Sequence, residues 1–83
     1  MKYKFKPQAL KQLKKLSRSI QKRIIKKLDF YCAQENPLKF AELLVDKRLG
    51  SYRFRIGDYR VVCDVEKDMI IILLVGHRKD IYR

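Results

Sequence analysis

The sequence predicts a two-layer α+β domain, in which an antiparallel sheet is packed on one face by an N-terminal helical hairpin in the order β-α-α-β-β-β. Two patterns support this fold. Apolar residues recur at helical spacing across residues 7–36, whereas alternation with a period of two and a continuous apolar run follow across residues 51–77. A chain of 83 residues with 47% hydrophobic residues is the size of one domain, so residues 1–83 are expected to form a single unit.

The net charge of the chain indicates which kinds of partner it binds. Lysine and arginine outnumber acidic residues 21 to 9, which gives a net charge of +12 at pH 7. Such a field attracts polyanions and acidic proteins, and solubility alone does not require it. The expected partners are therefore a nucleic acid, an acidic protein, or both.

Cysteine usage and the N-terminus indicate a cytoplasmic protein. Cys32 and Cys63 form no CxxC motif and lie in apolar surroundings, so both are predicted to be small buried hydrophobes in a reducing compartment. The first residues lack the apolar core of a signal peptide, and no stretch is long and apolar enough to cross a membrane. No metal site and no cofactor are expected.

The first strand and the two helices follow from local signals. Tyr3 and Phe5 alternate with lysines, which favours a short strand at or near a sheet edge. Pro7 suits the first turn of a helix, and Ser17 offers an N-cap for a second one. Asn36-Pro37 ends that helix. The apolar stripes are predicted to be Leu10, Leu13 and Leu16 in the first helix, and Ile20, Ile24, Leu28 and Tyr31 or Cys32 in the second.

A third apolar patch precedes the main strands. It contains Phe40, Leu43, Leu44 and Leu49, and its pattern is compatible with a loose helical turn or with a packed loop. Lys47 and Arg48 lie inside it, and we expect them to contact the phosphate backbone of a nucleic acid.

The stretch from Ser51 to Val62 is predicted to be a hairpin with arginines on one face. Apolar and aromatic residues alternate with arginines before Gly57-Asp58, which has the composition of a two-residue turn. In that register Arg55 faces Arg60 and Arg53 faces Val62, so the three arginines share one face. Like charges opposed on a sheet are unfavourable, which suggests an anion between them. Removal of Arg60 is accordingly expected to relieve repulsion and to leave stability unchanged.

The last strand is predicted over the apolar run from Met69 to Val75, in the interior of the sheet. With Lys67-Asp68 as a two-residue turn, an unbroken ladder puts His77 on the arginine face and Arg78 under the helices, where an unpaired guanidinium is costly. A bulge exchanges the two, and we prefer Arg78 on the arginine face.

The residue inventory limits the chemistry. The acidic residues are assigned to helix surfaces and turns, and the chain has one histidine and no glycine-rich phosphate loop. Arginines suit RNA cleavage, in which the 2′-OH attacks the adjacent phosphate and charge builds on its oxygens. A general base and acid could be His77, Tyr82 or a lysine such as Lys47.

Two segments carry a resemblance to a known family. Y-R-F-R-I-G-D-Y-R-V-V followed by V-G-H-R-K-D-I-Y-R, behind a basic helical hairpin, resembles the RelE/ParE superfamily of type II toxin–antitoxin toxins, on its RelE side. The resemblance implies an endoribonuclease that cleaves mRNA without a metal, on the ribosome, and so inhibits translation. It implies catalytic roles for the arginines and for the tyrosine near the C-terminus: Arg53, Arg55, Arg60, Arg78 and Tyr82.

The resemblance also implies partners and alternatives. The partners are a cognate antitoxin, mRNA on the ribosome, and operator DNA only through the antitoxin complex, with no membrane. Lys47, Arg48 and His77 are assigned to RNA binding. One alternative is a ParE-like toxin that inhibits DNA gyrase and cuts nothing. The other is a degenerate toxin that only binds antitoxin and operator DNA.

Overall fold

A five-stranded sheet with two helices on one face forms the fold of this protein, seen in a computed structural model that describes residues 1–81. Its elements in chain order are β1 (Lys2–Phe5), α1 (Pro7–Lys14), α2 (Arg18–Ala33), a 3-10 helix (Pro37–Phe40), β2 (Glu42–Leu43), β3 (Tyr52–Ile56), β4 (Tyr59–Glu66) and β5 (Met69–His77). The strand order is β1-β5-β4-β3-β2. The predicted α+β class and the helical hairpin are confirmed, and the ambiguous apolar patch is divided among the 3-10 helix, β2 and a loop.

The expectation of a purely antiparallel sheet is wrong. β1 pairs with β5 in parallel, from Lys2 opposite Met69 to Phe5 opposite Ile72. Strands joined by short hairpins must pair antiparallel, but β1 is linked to the rest of the sheet through both helices, so its direction is free of that constraint. The sheet is therefore mixed, with β1 at one edge and the short β2 at the other.

The core lies between the helices and one sheet face. Ile24, Leu28 and Tyr31 of α2 are buried there, as the helical spacing predicts, and the hydroxyl of Ser17 accepts a hydrogen bond from Ile20 N at 3.3 Å as the N-cap. The Tyr31 ring stacks on Phe54 of β3, with centroids 4.8 Å apart. This contact ties α2 to the strand that carries two of the arginines.

The stripe predicted for α1 is partly wrong. Leu10 is exposed, and the residues that α1 buries are Ala9 and Leu13. α1 lies beside β5, where the side-chain oxygen of Gln12 accepts a hydrogen bond from Val75 N at 2.9 Å. The side chain of Gln12 thus satisfies an N–H of β5 past the point where β1 stops pairing with that strand. Helical periodicity does not reveal such a role for a polar residue.

A β-bulge decides which residues face which side at the end of β5. The β4–β5 register pairs Val62 with Leu74 but Cys63 with Ile72, so Leu73 is the extra residue. The bulge makes Tyr59 pair with His77 and Arg60 with Gly76. The bulge that the sequence allowed is confirmed, and it puts His77 on the helix-covered side with Tyr59. Arg78 follows the end of β5, beside the β3–β4 turn.

The face opposite the helices is partly covered by the loop that joins β2 to β3. Gly50 in this loop approaches so closely that a Cβ there would lie 2.7 Å from Cγ1 of Val62. Val62 is fully buried as a result. The loop therefore closes one part of this face and leaves the part near the β3–β4 turn to the arginines.

Candidate anion-binding site

Three arginines lie on the sheet face away from the helices, as the hairpin register predicts. Arg55 pairs with Arg60 and Arg53 with Val62 across β3 and β4. Phe54 and Ile56, which alternate with them, belong to the core under the helices. The structure thus brings Arg53, Arg55 and Arg60 together, and we call them the arginine cluster.

Arg60 is the most enclosed member of the cluster. Only 8% of its surface is exposed, and its Nη1 donates hydrogen bonds to the carbonyl oxygens of Gly57 and Tyr59, both at 2.9 Å. A guanidinium anchored to two backbone carbonyls loses rotational freedom before any ligand arrives. Such a group is preorganised to stabilise developing negative charge. The premise that Arg60 makes only a like-charge contact is wrong, because its side chain is buried and donates hydrogen bonds to two carbonyls.

Glu42, an acid that the sequence pattern assigns to a surface or turn, lies within this cluster. Oε2 of Glu42, on β2, accepts a hydrogen bond from Nη2 of Arg53 at 2.8 Å, and its Oε1 lies 3.7 Å from Nε of Arg55. The hydrogen bond from Arg53, followed by the charges of the three arginines, lowers the pKa of Glu42 from its ordinary value. Glu42 therefore stays ionised at neutral pH and occupies the position of an anion between two guanidiniums.

The signal for Glu42 was weak in the sequence. Glu42 pairs with Arg53 across the β2–β3 ladder, but a loop separates the two strands and β2 has two residues. Register can be counted across a two-residue turn, not across a long loop. The position of Glu42 in an apolar stretch shortly before the arginine strand is the only hint in the sequence.

Arg78 lies beside the β3–β4 turn. Its backbone N–H donates to the carbonyl of Asp58 at 2.7 Å, and its Nε lies 3.5 Å from Oδ1 of the same residue. Both side chains are more than half exposed, so this ion pair contributes little stability. The turn thus holds the backbone of Arg78 and leaves its side chain open to a ligand.

His77 lies on the other side of the sheet. Its ring packs edge-to-face against Tyr59, with centroids 5.4 Å apart, and its Nδ1 accepts a hydrogen bond from Lys79 N at 3.1 Å. In the neutral ring the proton is consequently on Nε2. Tyr82, predicted as a site residue, lies outside the described residues.

The two basic residues of the β2–β3 loop are not brought into the arginine cluster by any contact seen in residues 1–81. Arg48 is ion-paired with Asp46 at 2.9 Å, and Arg48 lines a shallow cleft with Lys6, Pro7 and Leu49. Lys47 is exposed beside it. Their RNA-binding role stays a prediction.

The described residues contain neither a metal-binding cluster nor a membrane-spanning helix. Among residues 1–81, no three histidine, cysteine, aspartate or glutamate side chains are grouped so that they could hold a metal ion. No helix in that part of the chain is long and apolar enough to cross a membrane.

Comparison with known proteins gives the class that the fold and the arginine cluster define. Residues 3–82 match the family described as the ParE toxin of the type II toxin–antitoxin system parDE. The chain is 39% identical over 85 residues to Toxin RelE3 of Methanocaldococcus jannaschii, covering 99% of this chain and 96% of the relative. It also resembles a chain in the crystal structure of the toxin–antitoxin complex RelBE2 from Mycobacterium tuberculosis. That match has a TM-score of 0.75 and 25% identity, and covers 93% of this chain and 96% of the other.

These matches span nearly the whole chain and agree with the predicted resemblance. The protein belongs to the RelE/ParE superfamily of type II toxin–antitoxin toxins. The matched family carries the ParE name and the curated relative the RelE name, so membership alone leaves the target of the toxin open.

Proposed function

We propose that the protein is an endoribonuclease toxin that cleaves mRNA and thereby inhibits translation. The observation that carries the proposal is the buried guanidinium of Arg60, anchored by two backbone carbonyls beside Arg55 and Arg53. Fixed donors of this kind stabilise the charge that develops on phosphate oxygens during attack by the 2′-OH. DNA lacks that hydroxyl, so the substrate is RNA.

Within this mechanism, Glu42 is our candidate for the general base. Its carboxylate is ionised and lies among the groups that would hold the phosphate. When a phosphate takes the guanidiniums of Arg53 and Arg55, the interactions that lower the pKa of Glu42 weaken. Its basicity then rises as the substrate binds, which suits proton removal from the 2′-OH. Arg78 binds the phosphate from the turn side. His77 lies on the other side of the sheet, which leaves Tyr82 as the remaining candidate acid for the leaving oxygen.

The ribosome is the proposed setting of the reaction. An arginine cluster with one carboxylate offers charge stabilisation and a base but little that positions a particular bond, and a ribosome that holds mRNA in place supplies that orientation. The proposal therefore implies a cytoplasmic protein that needs no metal or cofactor. Its other partner is a cognate antitoxin, through which it would reach operator DNA.

Mapping RNA ends after a brief pulse of toxin expression tests the proposal. The expected result is a set of new ends within translated mRNA, with cyclic 2′,3′-phosphates that mark attack by the 2′-OH. Arg60→Ala, expressed to the same level, should produce none of them. Growth arrest without new ends would overturn the nuclease proposal.

A second function has one observation in its favour, which is the match to the ParE family. On that hypothesis the protein inhibits DNA gyrase and cleaves nothing. A supercoiling assay with purified gyrase separates the two hypotheses. Inhibition that survives Arg60→Ala would favour the gyrase target, and a protein inactive in both assays would be a degenerate toxin.

A further inference from the structure

An arginine outside the cluster lies against the β3–β4 turn. Arg23 projects from α2, and its guanidinium packs on the α-carbon of Gly57: a Cβ at Gly57 would lie 2.6 Å from Nη2 and 2.9 Å from Cζ and Nη1 of Arg23. Gly57 has φ +62°, which a glycine adopts without strain. The absence of a side chain at position 57 is thus what lets Arg23 reach the turn.

The turn is surrounded by arginines that come from different parts of the chain. Arg60 donates to the carbonyl of Gly57, and Arg78 is held by Asp58. Arg23 adds a third guanidinium from the helix side. Three separate parts of the chain therefore place positive charge around the two turn residues.

Arg23 differs from the other two in having no polar partner in the described chain. Arg60 hydrogen-bonds two carbonyls and Arg78 pairs with Asp58, whereas no hydrogen bond or ion pair to the Arg23 side chain is found within residues 1–81. Its guanidinium is exposed yet packed against backbone. No hydrogen bond or ion pair within residues 1–81 has to break when an anion binds the Arg23 guanidinium, so the anion displaces only water.

We infer that Arg23 and the β3–β4 turn form a second phosphate subsite, which binds the backbone phosphate of a nucleotide next to the one held by the arginine cluster. The inference rests on the proposed function, because it assigns the path of the RNA. A guanidinium presents a planar fork that matches two phosphate oxygens. A strand bound on the arginine face that leaves past the turn meets Arg23. A phosphate contact away from the reacting bond positions the strand without taking part in the chemistry.

A binding experiment with single neutral linkages tests the subsite. The probe is an RNA oligonucleotide with a 2′-deoxy substitution at the cleaved nucleotide, which prevents cutting. In a matched series, one phosphodiester at a time is replaced by an uncharged methylphosphonate. Arg23→Gln removes the charge and retains much of the length. Lys22→Gln is the control, since it removes one exposed charge from the adjacent position of α2.

Arg23→Gln should weaken binding of the unmodified oligonucleotide about tenfold, as expected for one charge-assisted contact. The slope of log affinity against log salt should fall by about 0.7, the value for one phosphate of a single strand. One methylphosphonate position should weaken the parent protein equally and cause no further loss in Arg23→Gln. Arg23→Lys should recover only part of the affinity, because it keeps the charge and loses the fork.

The result that overturns the subsite is a loss shared by Lys22→Gln, or a loss of the same size at every methylphosphonate position. Either outcome would show that Arg23 acts only through the general field. A loss of antitoxin binding with unchanged oligonucleotide binding would assign Arg23 to the partner protein and would also overturn it. Binding is measured without cleavage, so the subsite and the nuclease proposal are judged by different assays. A parent protein that binds no oligonucleotide at low salt refutes the subsite as well.

Discussion

Arg60→Ala is the substitution that most directly tests the link between the fold and the proposed chemistry. Arg60 is 8% exposed and donates two hydrogen bonds to the carbonyls of Gly57 and Tyr59, which close the β3–β4 turn. Alanine removes both bonds and the packing of the arginine stem. The same change removes the preorganised donor, so stability and activity should fall together.

The size of the stability loss can be worked from those contacts. A hydrogen bond from a charged donor contributes about 1.5 kcal/mol or more. Two such bonds give roughly 3 kcal/mol. Water that reaches the exposed turn can hydrogen-bond the two freed carbonyls, which reduces this loss. The variant also no longer has the repulsion between Arg60 and Arg55, whose side chain is 64% exposed, and this offsets roughly 0.5 kcal/mol of the loss. The net expectation is a loss of about 2 kcal/mol, which corresponds to a fall in Tm of roughly 8–16 °C for a domain of this size.

Thermal and urea unfolding of the purified protein measure the loss, with Arg55→Ala as the control. That variant removes one arginine from the same face but from an exposed position, and its free energy of unfolding should change by about 0.5 kcal/mol or less. Cleavage, measured well below the Tm of both variants, should fall on the order of 10²–10³-fold in Arg60→Ala. A Tm within about 2 °C of the parent would refute the anchoring argument. Full activity in a folded Arg60→Ala protein would refute the catalytic role.

Three other outcomes are expected. Glu42→Gln should lower the cleavage rate by about 10²-fold or more. Its free energy of unfolding should stay within about 1 kcal/mol of the parent value, because the ion pairs of Glu42 are at the surface. Cleavage at the parent rate would exclude Glu42 as the base. Burial raises the pKa of Cys63 from 9.0 to about 12, so between these pH values the folded protein retains a proton that the unfolded chain releases. The free energy of unfolding should therefore be unchanged below pH 9.0 and fall as the pH rises toward 12. Urea midpoints measured across that range should fall more steeply for the parent protein than for Cys63→Ala. A cognate antitoxin should bind through acidic residues and through an apolar segment that covers the exposed Phe40 and Leu43. Calorimetry should find that the affinity falls as salt is added and falls again in Phe40→Ser. An affinity that does not change with salt would contradict the electrostatic part of this prediction.

The hairpin and the arginine face follow from local patterns in the chain. Gly57-Asp58 limits the turn to two residues, and the alternation before and after it leaves one register in which Phe54 and Ile56 are buried. Strand periodicity and turn chemistry are local properties, so the shared face of Arg53, Arg55 and Arg60 could be counted from the chain. The Ser17 cap and the α2 stripe were predicted for the same reason.

The other groups near that face are brought there by tertiary packing. Glu42 meets Arg53 across a loop with no fixed register. The bulge at Leu73 turns His77 to the helix-covered side, and Asp58 of the turn holds Arg78. Arg23 reaches Gly57 because α2 packs over the end of the hairpin. Each of these contacts depends on how distant elements pack, and the packing of distant elements carries no period that a sequence displays.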